Sequence, residues 1–343
     1  MSVLEKTRAR APLRLGLAGG GTDLSPYCDE FGGAVLNVTI DRYAFASFVP
    51  RTDGRIVFEA DDLGISETFE PGETLHSELT LHRGVYQRMI SEFNGDRPLS
   101  LTIKTTVDAP AGSGLGSSSA LVVALVDGMR SILRAPLGNY DVAHLAFEIE
   151  RLDLALSGGR QDQYAAAFGG LNFIEFLQND RVIVNPLRIP DDILNEFESS
   201  LVICFSGRSR DSATIIDQQT AGLRKPNSDT IDAMHRLKAD AIDMKGALLN
   251  GDIDCMATIL SRSWEAKKAS AAGVSTGVLE ALFDCAMANG ALAGKVSGAG
   301  GGGFMFFLVH PENRYRLVQA LNQAGGQAST IKLTHRGTET WRY

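Results

Sequence analysis

Apolar residues in the first half of the chain recur in short runs that alternate with polar residues, as in half-buried β-strands. A helix is predicted from about His76 to Phe93, and LNFIEF with RVIVNPL after residue 170 predicts a hairpin. The five predicted strands before residue 110 are RLGLA (14–18), AVLNVTI (34–40), YAFASFV (43–49), RIVFEA (55–60) and LTIKTTV (101–107). This half is therefore predicted to be rich in strands.

A polar, proline-marked stretch near 189–192 predicts a boundary between two domains, 1–190 and 191–343. After it come a predicted strand, LVICFSG, and three helical segments within roughly 210–289. Strands ALAGKVS and FMFFLV, a helix and a last strand near 327–333 follow. This order is typical of an antiparallel sheet covered by helices, so the fold class is predicted to be α+β.

Residues 110–120, PAGSGLGSSSA, lie between the strand at 101–107 and a predicted helix that opens at the serines. Glycines at alternate positions adopt backbone conformations closed to other residues and let a polyanion approach the main chain. A helix N-terminus adds free N–H groups and a positive dipole end. The predicted nucleotide-binding residues are Pro110, Gly112, Ser113, Gly114, Leu115, Gly116, Ser117, Ser118 and Ser119.

Two well-known glycine motifs do not describe this loop. A Walker loop requires a lysine after its last glycine, and none follows here. A dinucleotide fingerprint requires a third glycine where Ser119 stands, with an acidic residue about 20 positions further on. Taken alone, the loop is equally compatible with a glycine-rich turn that binds no ligand.

Two further glycine-rich blocks accompany the loop. Near the start, APLR (11–14) leads to GGGTD (19–23), and near the end stands KVSGAGGGG (295–303). In this order and spacing, the three blocks resemble the signature motifs of the GHMP kinases, the superfamily of galactokinase, homoserine kinase, mevalonate kinase and phosphomevalonate kinase. The resemblance implies a two-domain fold, with a ribosomal S5 domain 2-like N-terminal domain, a ferredoxin-like C-terminal domain and an active site between them.

Composition and charge exclude several other classes of protein. The net charge is −8 and no basic cluster is present, which argues against a nucleic-acid partner. The 4 cysteines are scattered, as expected of a reduced cytoplasmic protein rather than a disulfide or zinc scaffold. The apolar run Ala120 to Val126 is too short to span a bilayer, so no membrane association is predicted. Whether the protein is a monomer or a homodimer stays open.

The resemblance implies ATP and Mg²⁺ as cosubstrate and cofactor, because phosphoryl transfer requires a positioned, charge-neutralised γ-phosphate and an aimed hydroxyl. Asp162, in the GGRQDQ segment, is the predicted catalytic residue, which accepts or orients the proton of that hydroxyl. Arg14 is its predicted partner and is expected to keep its pKa low. Ser118 and Glu150 are the predicted Mg²⁺ ligands, with Glu148 as the rival carboxylate.

Within the superfamily, the motif segments look most like the D-glycero-D-manno-heptose 7-phosphate kinases, since GGGTD keeps only the Thr-Asp of the galactokinase GEHTD. That likeness implies phosphorylation of the anomeric hydroxyl of a sugar 7-phosphate to the 1,7-bisphosphate, a step toward GDP-activated heptose. The predicted substrate-contacting residues are Gly20, Gly21, Thr22, Asp23, Arg160, Gly298, Gly300 and Gly301.

A sugar that already carries a phosphate requires basic groups in its pocket. Arg160 is the first choice because it adjoins Asp162. The other candidates are Arg208, Arg210, Lys267, Lys268 and Lys295. Two alternatives stay open: an L-fucokinase-like or other sugar 1-kinase, and a sensor that binds sugar and nucleotide without turnover.

Overall fold

The computed structural model describes residues 5–208, 212–224, 229–271 and 273–343. Its strands are β1 (Thr7–Ala18), β2 (Gly33–Pro50), β3 (Ile56–Ala60), β4 (Ile65–Phe69), β5 (Leu101–Val107), β6 (Leu171–Phe176), β7 (Val182–Pro186), β8 (Leu201–Phe205), β9 (Ala291–Val296), β10 (Phe304–Val309), β11 (Gln327–Ser329) and β12 (Glu339–Arg342). Its α-helices are α1 (Tyr27–Phe31), α2 (Thr80–Asn94), α3 (Ser117–Leu133), α4 (Asn139–Glu148), α5 (Gln161–Phe168), α6 (Asp191–Ser199), α7 (Ser212–Leu223), α8 (Asp229–Leu249), α9 (Ile253–Ser270), α10 (Gly277–Ala288) and α11 (Pro311–Gln323).

The larger sheet has the order β12-β1-β2-β5-β3-β4, with β6 on β2 and β7 on β6. The two strands predicted at 34–40 and 43–49 are one strand, β2. Its first part pairs with β6 and its second part with β5, while β1 lies along the other side. The polar residues between the two apolar runs do not end the strand, because β1 continues to pair across them with a register shift near Arg14.

The smaller sheet, of order β11-β8-β10-β9, is antiparallel throughout, as predicted for the second half. Four helices, rather than the predicted three, lie in the described residues between β8 and β9. The proline-marked stretch near 189–192 is the beginning of α6, where Pro190 precedes two aspartates of the first turn. Polar residues with proline signalled a helix start there, and the predicted last strand is only three residues long.

The C-terminal residues return to the first sheet. β12 pairs with β1 from Thr7 to Arg10, and Thr334 accepts a hydrogen bond from Thr39. β4, β12 and the short α1 were not predicted, since each is too brief to show a clear period. The division of the chain at 190 stays a prediction.

The apolar run Ala120 to Val126 belongs to α3, which is buried against β1, β2 and neighbouring helices. Burial of this helix fixes the position of its N-terminus, where the serines stand. In the described part of the chain, no helix has the length and apolar character needed to cross a membrane. The core therefore holds three glycine-rich segments together: the end of β1, the start of α3 and the turn between β9 and β10.

Candidate active site

A cleft of about 540 Å³ opens where these three segments meet. It is lined by most of the predicted site residues and by side chains from α7 and α9. The predicted residues that line it are Arg14, Gly20, Gly21, Asp23, Gly112, Gly114, Gly116, Ser117, Ser118, Ser119, Glu150, Asp162, Lys267, Lys295 and Gly298. The cleft thus gathers residues from all three sequence motifs.

The two glycine loops touch each other, and two glycines allow this close approach. Gly114 has a φ of +82°, and a β-carbon there would lie 2.3 Å from the carbonyl oxygen of Ser297. A β-carbon at Gly303 would lie 2.3 Å from the carbonyl oxygen of Ser113, which also accepts a hydrogen bond from Phe304 at 2.8 Å. Gly114 is therefore required for loop contact as well as for ligand approach.

Arg14 and Asp162 form an ion pair on the floor of the cleft. The Nε and Nη2 atoms of Arg14 lie 2.7 and 2.6 Å from Oδ1 of Asp162, and its Nη1 donates to the carbonyl of Gly114 at 2.6 Å. Arg14 is buried, while the Asp162 side chain keeps 22 % of its surface exposed. The Asp162 carboxylate therefore faces the cleft, and Arg14 links it to the glycine loop at residues 112–116.

The expectation that Arg14 keeps the pKa of Asp162 low is wrong. Burial at the cleft floor raises the pKa of Asp162 above its ordinary value, although the Arg14 guanidinium opposes the shift. A carboxylate with a raised pKa accepts a proton more readily when a nearby hydroxyl reacts. The environment of Asp162 therefore favours proton acceptance over a purely structural ion pair.

Ser118 and Glu150 lie together beside the start of α3. The Ser118 hydroxyl donates to Oε1 of Glu150 at 2.8 Å, and Gln163 donates to Oε2 at 2.5 Å. A π-helical turn, Ile149–Asp153, extends α4 and carries Glu150 into the cleft. The rival Glu148 lies outside it and pairs with Arg88 at 2.6 Å.

The Ser118 and Glu150 oxygens fit a Mg²⁺ ion. Magnesium in phosphoryl-transfer sites takes one or two protein oxygens and completes its shell with phosphate oxygens and water. No cluster of three or more His, Cys, Asp or Glu suited to a metal exists among the described residues. A site with one hydroxyl and one carboxylate is therefore suited to a metal that arrives with nucleotide phosphates.

Asp23 joins the first motif to α5. Its carboxylate accepts hydrogen bonds from the backbone N–H groups of Gly21, Arg160 and Gln161 and from the Gln161 side chain, at 2.9 to 3.1 Å. It therefore caps the helix that carries Asp162. Thr22 is buried and its hydroxyl donates to the carbonyls of Gly19 and Ala34, so it shapes the turn rather than lining the cleft.

Arg160, the first choice for a second phosphate, does not line the cleft. Its guanidinium pairs with Asp29 at 3.1 Å and with Asp180, and it lies over the Phe147 ring. Two carboxylates already neutralise it, and this pairing outside the cleft argues against a contact with a second phosphate.

Two other basic candidates, Arg208 and Lys268, also lie away from the cleft. Arg208 is exposed and does not line it, and Lys268 pairs with Glu265 at 2.8 Å. Arg210 lies outside the described residues. Among the predicted basic residues that the structure describes, Lys267 and Lys295 reach the cleft, and both are almost completely buried.

The remaining predicted residues shape the loops without lining the cleft. Leu115 is buried and its carbonyl accepts from the backbone of Arg14, while the carbonyl of Pro110 accepts from Ser113. Gly300 and Gly301 lie against Val274, to which Gly301 donates at 2.7 Å.

Several lining residues were not predicted. Arg151 has its guanidinium against the segment 156–159 and 3.8 Å from Glu150, and Gln161 holds Asp23. Ile216 and Gln219 reach the cleft from α7. In the sequence, the position of Arg151 next to Glu150 was the one feature that could have indicated a place in the cleft. No feature of the α7 sequence distinguishes Ile216 and Gln219 from their neighbours.

The chain is similar to known proteins along nearly its whole length. Residues 80–170 match the GHMP kinases N terminal domain, and residues 244–327 match the GHMP kinases C terminal family. A D-glycero-alpha-D-manno-heptose 7-phosphate kinase of Campylobacter jejuni is 44% identical over 99% of this chain and 100% of its own length. A crystal structure described as a D-glycero-D-manno-heptose 1-phosphate kinase from Bacteroides thetaiotaomicron has a TM-score of 0.83 at 44% identity, covering 98% of this chain and 99% of that one.

A more distant relative, the bifunctional fucokinase/GDP-fucose pyrophosphorylase of Arabidopsis thaliana, is 27% identical over 89% of this chain and 30% of its own length. The two-domain fold, the meeting of three glycine motifs in one cleft and the full-length identity agree with one another. The chain belongs to the GHMP kinase family, and it is a kinase with the fold of that family.

Proposed function

We propose that the protein transfers the γ-phosphoryl group of ATP to the anomeric hydroxyl of D-glycero-D-manno-heptose 7-phosphate. The product is the 1,7-bisphosphate, an intermediate toward a GDP-activated heptose. The observation that carries this proposal is the Asp162 carboxylate, held by Arg14 beside the glycine loop, in a chain 44% identical to the Campylobacter enzyme over its whole length.

The nucleotide phosphates bind the loop from Gly112 to Gly116 and the free N–H groups at the start of α3. Ser118 and Glu150 would hold Mg²⁺, which neutralises phosphate charge when bound. Both contributions place and polarise the γ-phosphate without covalent participation of the protein.

Asp162 orients the sugar hydroxyl and accepts its proton as the oxygen attacks the γ-phosphorus and the bond to ADP breaks. Its raised pKa suits this role, because the protonated and ionised forms then lie closer in free energy near neutral pH. Arg14 keeps the carboxylate aimed into the cleft and adds positive charge close to the transferred group.

The names of the two heptose-kinase relatives place the first phosphate at opposite ends of the sugar, at carbon 7 and at carbon 1. Phosphorylation in either order gives the same bisphosphate. For this chain we propose the 7-phosphate as substrate, because it is the substrate named for the relative that aligns over 99% of this chain and 100% of its own length.

The test is a panel of acceptors with ATP and Mg²⁺: heptose 7-phosphate, heptose 1-phosphate, free heptose and L-fucose. Heptose 7-phosphate is expected to give the highest kcat/KM, and phosphorus NMR should locate the new phosphate on the anomeric oxygen. A preference for heptose 1-phosphate would reverse the order of the two phosphates.

The fucokinase-like alternative rests on the 27% identical relative and predicts efficient turnover of L-fucose. The sensor alternative predicts that no acceptor stimulates ATP consumption. Asp162→Asn is the control for both, since it should bind sugar and nucleotide while losing turnover.

A further inference from the structure

Two lysines, Lys267 on α9 and Lys295 on β9, line the cleft next to the first glycine-rich block, residues 11–23. Their exposed fractions are 4% and 5%. The ammonium of Lys267 donates to the carbonyl of Gly20 at 3.2 Å, and that of Lys295 donates to the carbonyl of Leu17 at 3.4 Å. A lysine ammonium has three donors, so each is under-used in the described structure.

No carboxylate forms an ion pair with either lysine among the described residues. Asp23 and Asp240 are the acidic groups whose charge reaches them, whereas Arg14 and the lysines themselves repel one another. Asp23 is occupied by the N-terminus of α5, and Asp240 pairs with Arg262 at 2.6 Å. Buried cations without a counter-ion are costly, so the two lysines form a site suited to an anion.

The lysines contact the first motif further along the chain than Arg14, and all three residues line the same cleft. Lys295 donates to the carbonyl of Leu17, three residues beyond Arg14 on β1, and Lys267 donates to the carbonyl of Gly20. Three residues of strand span roughly 10 Å of backbone. Arg14 itself meets Asp162 and Gly114, so the first motif runs from the Arg14–Asp162 pair to the contacts of the lysines within one ligand-sized cavity.

We propose that Lys267 and Lys295 together form the subsite for the phosphate that the sugar already carries. This inference rests on the proposed function, since it identifies the second anchor of a sugar phosphate whose hydroxyl lies at Asp162. It replaces Arg160, whose charge is neutralised outside the cleft.

The electrostatics of the ligand-free site agree with this assignment. Burial, joined by repulsion between neighbouring cations, lowers the pKa of Lys267 to about 8 and that of Lys295 to about 7. Part of the population is therefore uncharged near neutral pH. A bound dianion restores the charged form, so binding takes up protons.

The kinetic test compares Lys267→Met and Lys295→Met with the matched control Lys268→Met, which changes the adjacent lysine on the same helix but lies outside the cleft. Loss of one charge-assisted contact is expected to lower kcat/KM for heptose 7-phosphate at least tenfold. The value for free heptose and the KM for ATP should change little, and the control should match wild type. Equal losses with both sugars, or a raised KM for ATP, would assign the lysines to the nucleotide and overturn the subsite.

A second measurement does not depend on which sugar is used. Sulfate keeps two negative charges at pH 7.5, so calorimetry of sulfate binding in buffers of different ionisation enthalpy counts only protons taken up by the protein. The protein is first saturated with Mg²⁺ and a nonhydrolysable ATP analogue, which fills the glycine loop. Proton uptake is expected in wild type and in Lys268→Met, and a smaller uptake is expected in each cleft-lysine variant because one lysine remains.

The two proposals fail separately. A new phosphate away from the anomeric oxygen would refute the proposed function, while lysine-dependent sulfate binding would still support the subsite. Sulfate binding with unchanged proton uptake in both cleft-lysine variants would refute the subsite, whatever the product is. Thermal unfolding of each variant confirms that the protein measured is folded.

Discussion

Two arginine–carboxylate clusters lie on either side of the start of α5, and they differ in their access to the cleft. In the inner cluster, Arg14 holds Asp162 at the cleft floor, and the two cleft lysines form no ion pair with any carboxylate that the structure describes. In the outer cluster, Arg160 is neutralised by Asp29 and Asp180. The comparison shows that an arginine two residues from a candidate catalytic carboxylate in sequence need not lie in the same site, because successive residues at the start of a helix face different directions.

Beside the inner cluster, Lys267 and Lys295 form no ion pair with a described carboxylate. In the outer cluster, the Arg160 guanidinium pairs with two carboxylates. Substitutions in the first should therefore change catalysis, metal use or pH dependence. Substitutions in the second should change stability alone.

The largest effect is expected for Asp162→Asn. Loss of the proton acceptor should lower kcat by about 10² to 10⁴ while nucleotide and sugar affinity remain, because the amide cannot take the proton. Steady-state kinetics and calorimetric binding measure the two quantities. Asp180→Asn, in the outer cluster, is the matched control and should keep wild-type kcat; near-wild-type turnover of Asp162→Asn would remove this residue from the mechanism.

Glu150→Gln should raise the Mg²⁺ concentration for half-maximal activity by about tenfold or more, since a neutral oxygen binds the ion less well than a carboxylate. Titration of activity with Mg²⁺ at saturating ATP measures this change. Glu148→Gln changes the rival carboxylate two residues earlier, which pairs with Arg88, and its Mg²⁺ dependence should match wild type. The reverse result would exchange the two assignments.

Lys295→Met should change how stability depends on pH. With a pKa of about 7 in the folded protein, Lys295 binds fewer protons above that pH than it does in the unfolded chain, where its pKa is 10.5. Stability from this group therefore rises from about pH 7 toward pH 10.5, by at most about 1.4 kcal/mol per pH unit. Urea unfolding at pH 7, 8 and 9 should show a flatter rise in Lys295→Met, and Lys268→Met should keep the wild-type slope.

The smallest catalytic effect is expected for Arg160→Ala. It removes a side chain that is only 10% exposed, with its ion pairs and its contact with Phe147, so the free energy of unfolding should fall by about 1 to 2 kcal/mol. Its backbone N–H still donates to Asp23. The preference for a phosphorylated sugar should remain within about twofold of wild type. Loss of that preference would show that Arg160 contacts the phosphate of the sugar, and the two clusters would then not differ in function.

Local pattern predicted the parts of the fold that depend on short-range chemistry. The strand before the glycine loop, the helix opening at Ser117 and the strands β6 to β10 lie close to where alternation and glycine placed them. The errors have local causes as well: β2 runs through the polar pair Asp41 and Arg42 because β1 pairs with it on both sides of them, and the helix α6, which begins just after Pro190, was not predicted.

Within the site, the sequence determined which chemical groups are available: glycines that admit a phosphate, serines at a helix start, and an aspartate and an arginine in recognisable motifs. Their spacing and order were enough to indicate the family and the candidate residues Asp162, Ser118 and Glu150. Conformational freedom and helix polarity are properties of neighbouring residues, so they can be read along the chain.

Only the tertiary structure decided which charges are neutralised and which face the cleft. Arg160 meets Asp29, 131 residues away, whereas Lys267 donates to the carbonyl of Gly20, 247 residues away, and forms no ion pair with a described carboxylate. The pKa of Asp162 likewise depends on burial between distant segments and opposes the shift that its arginine alone would cause. Electrostatic energy depends on distance and burial in three dimensions, and neither is encoded by the identity of a residue's neighbours in sequence.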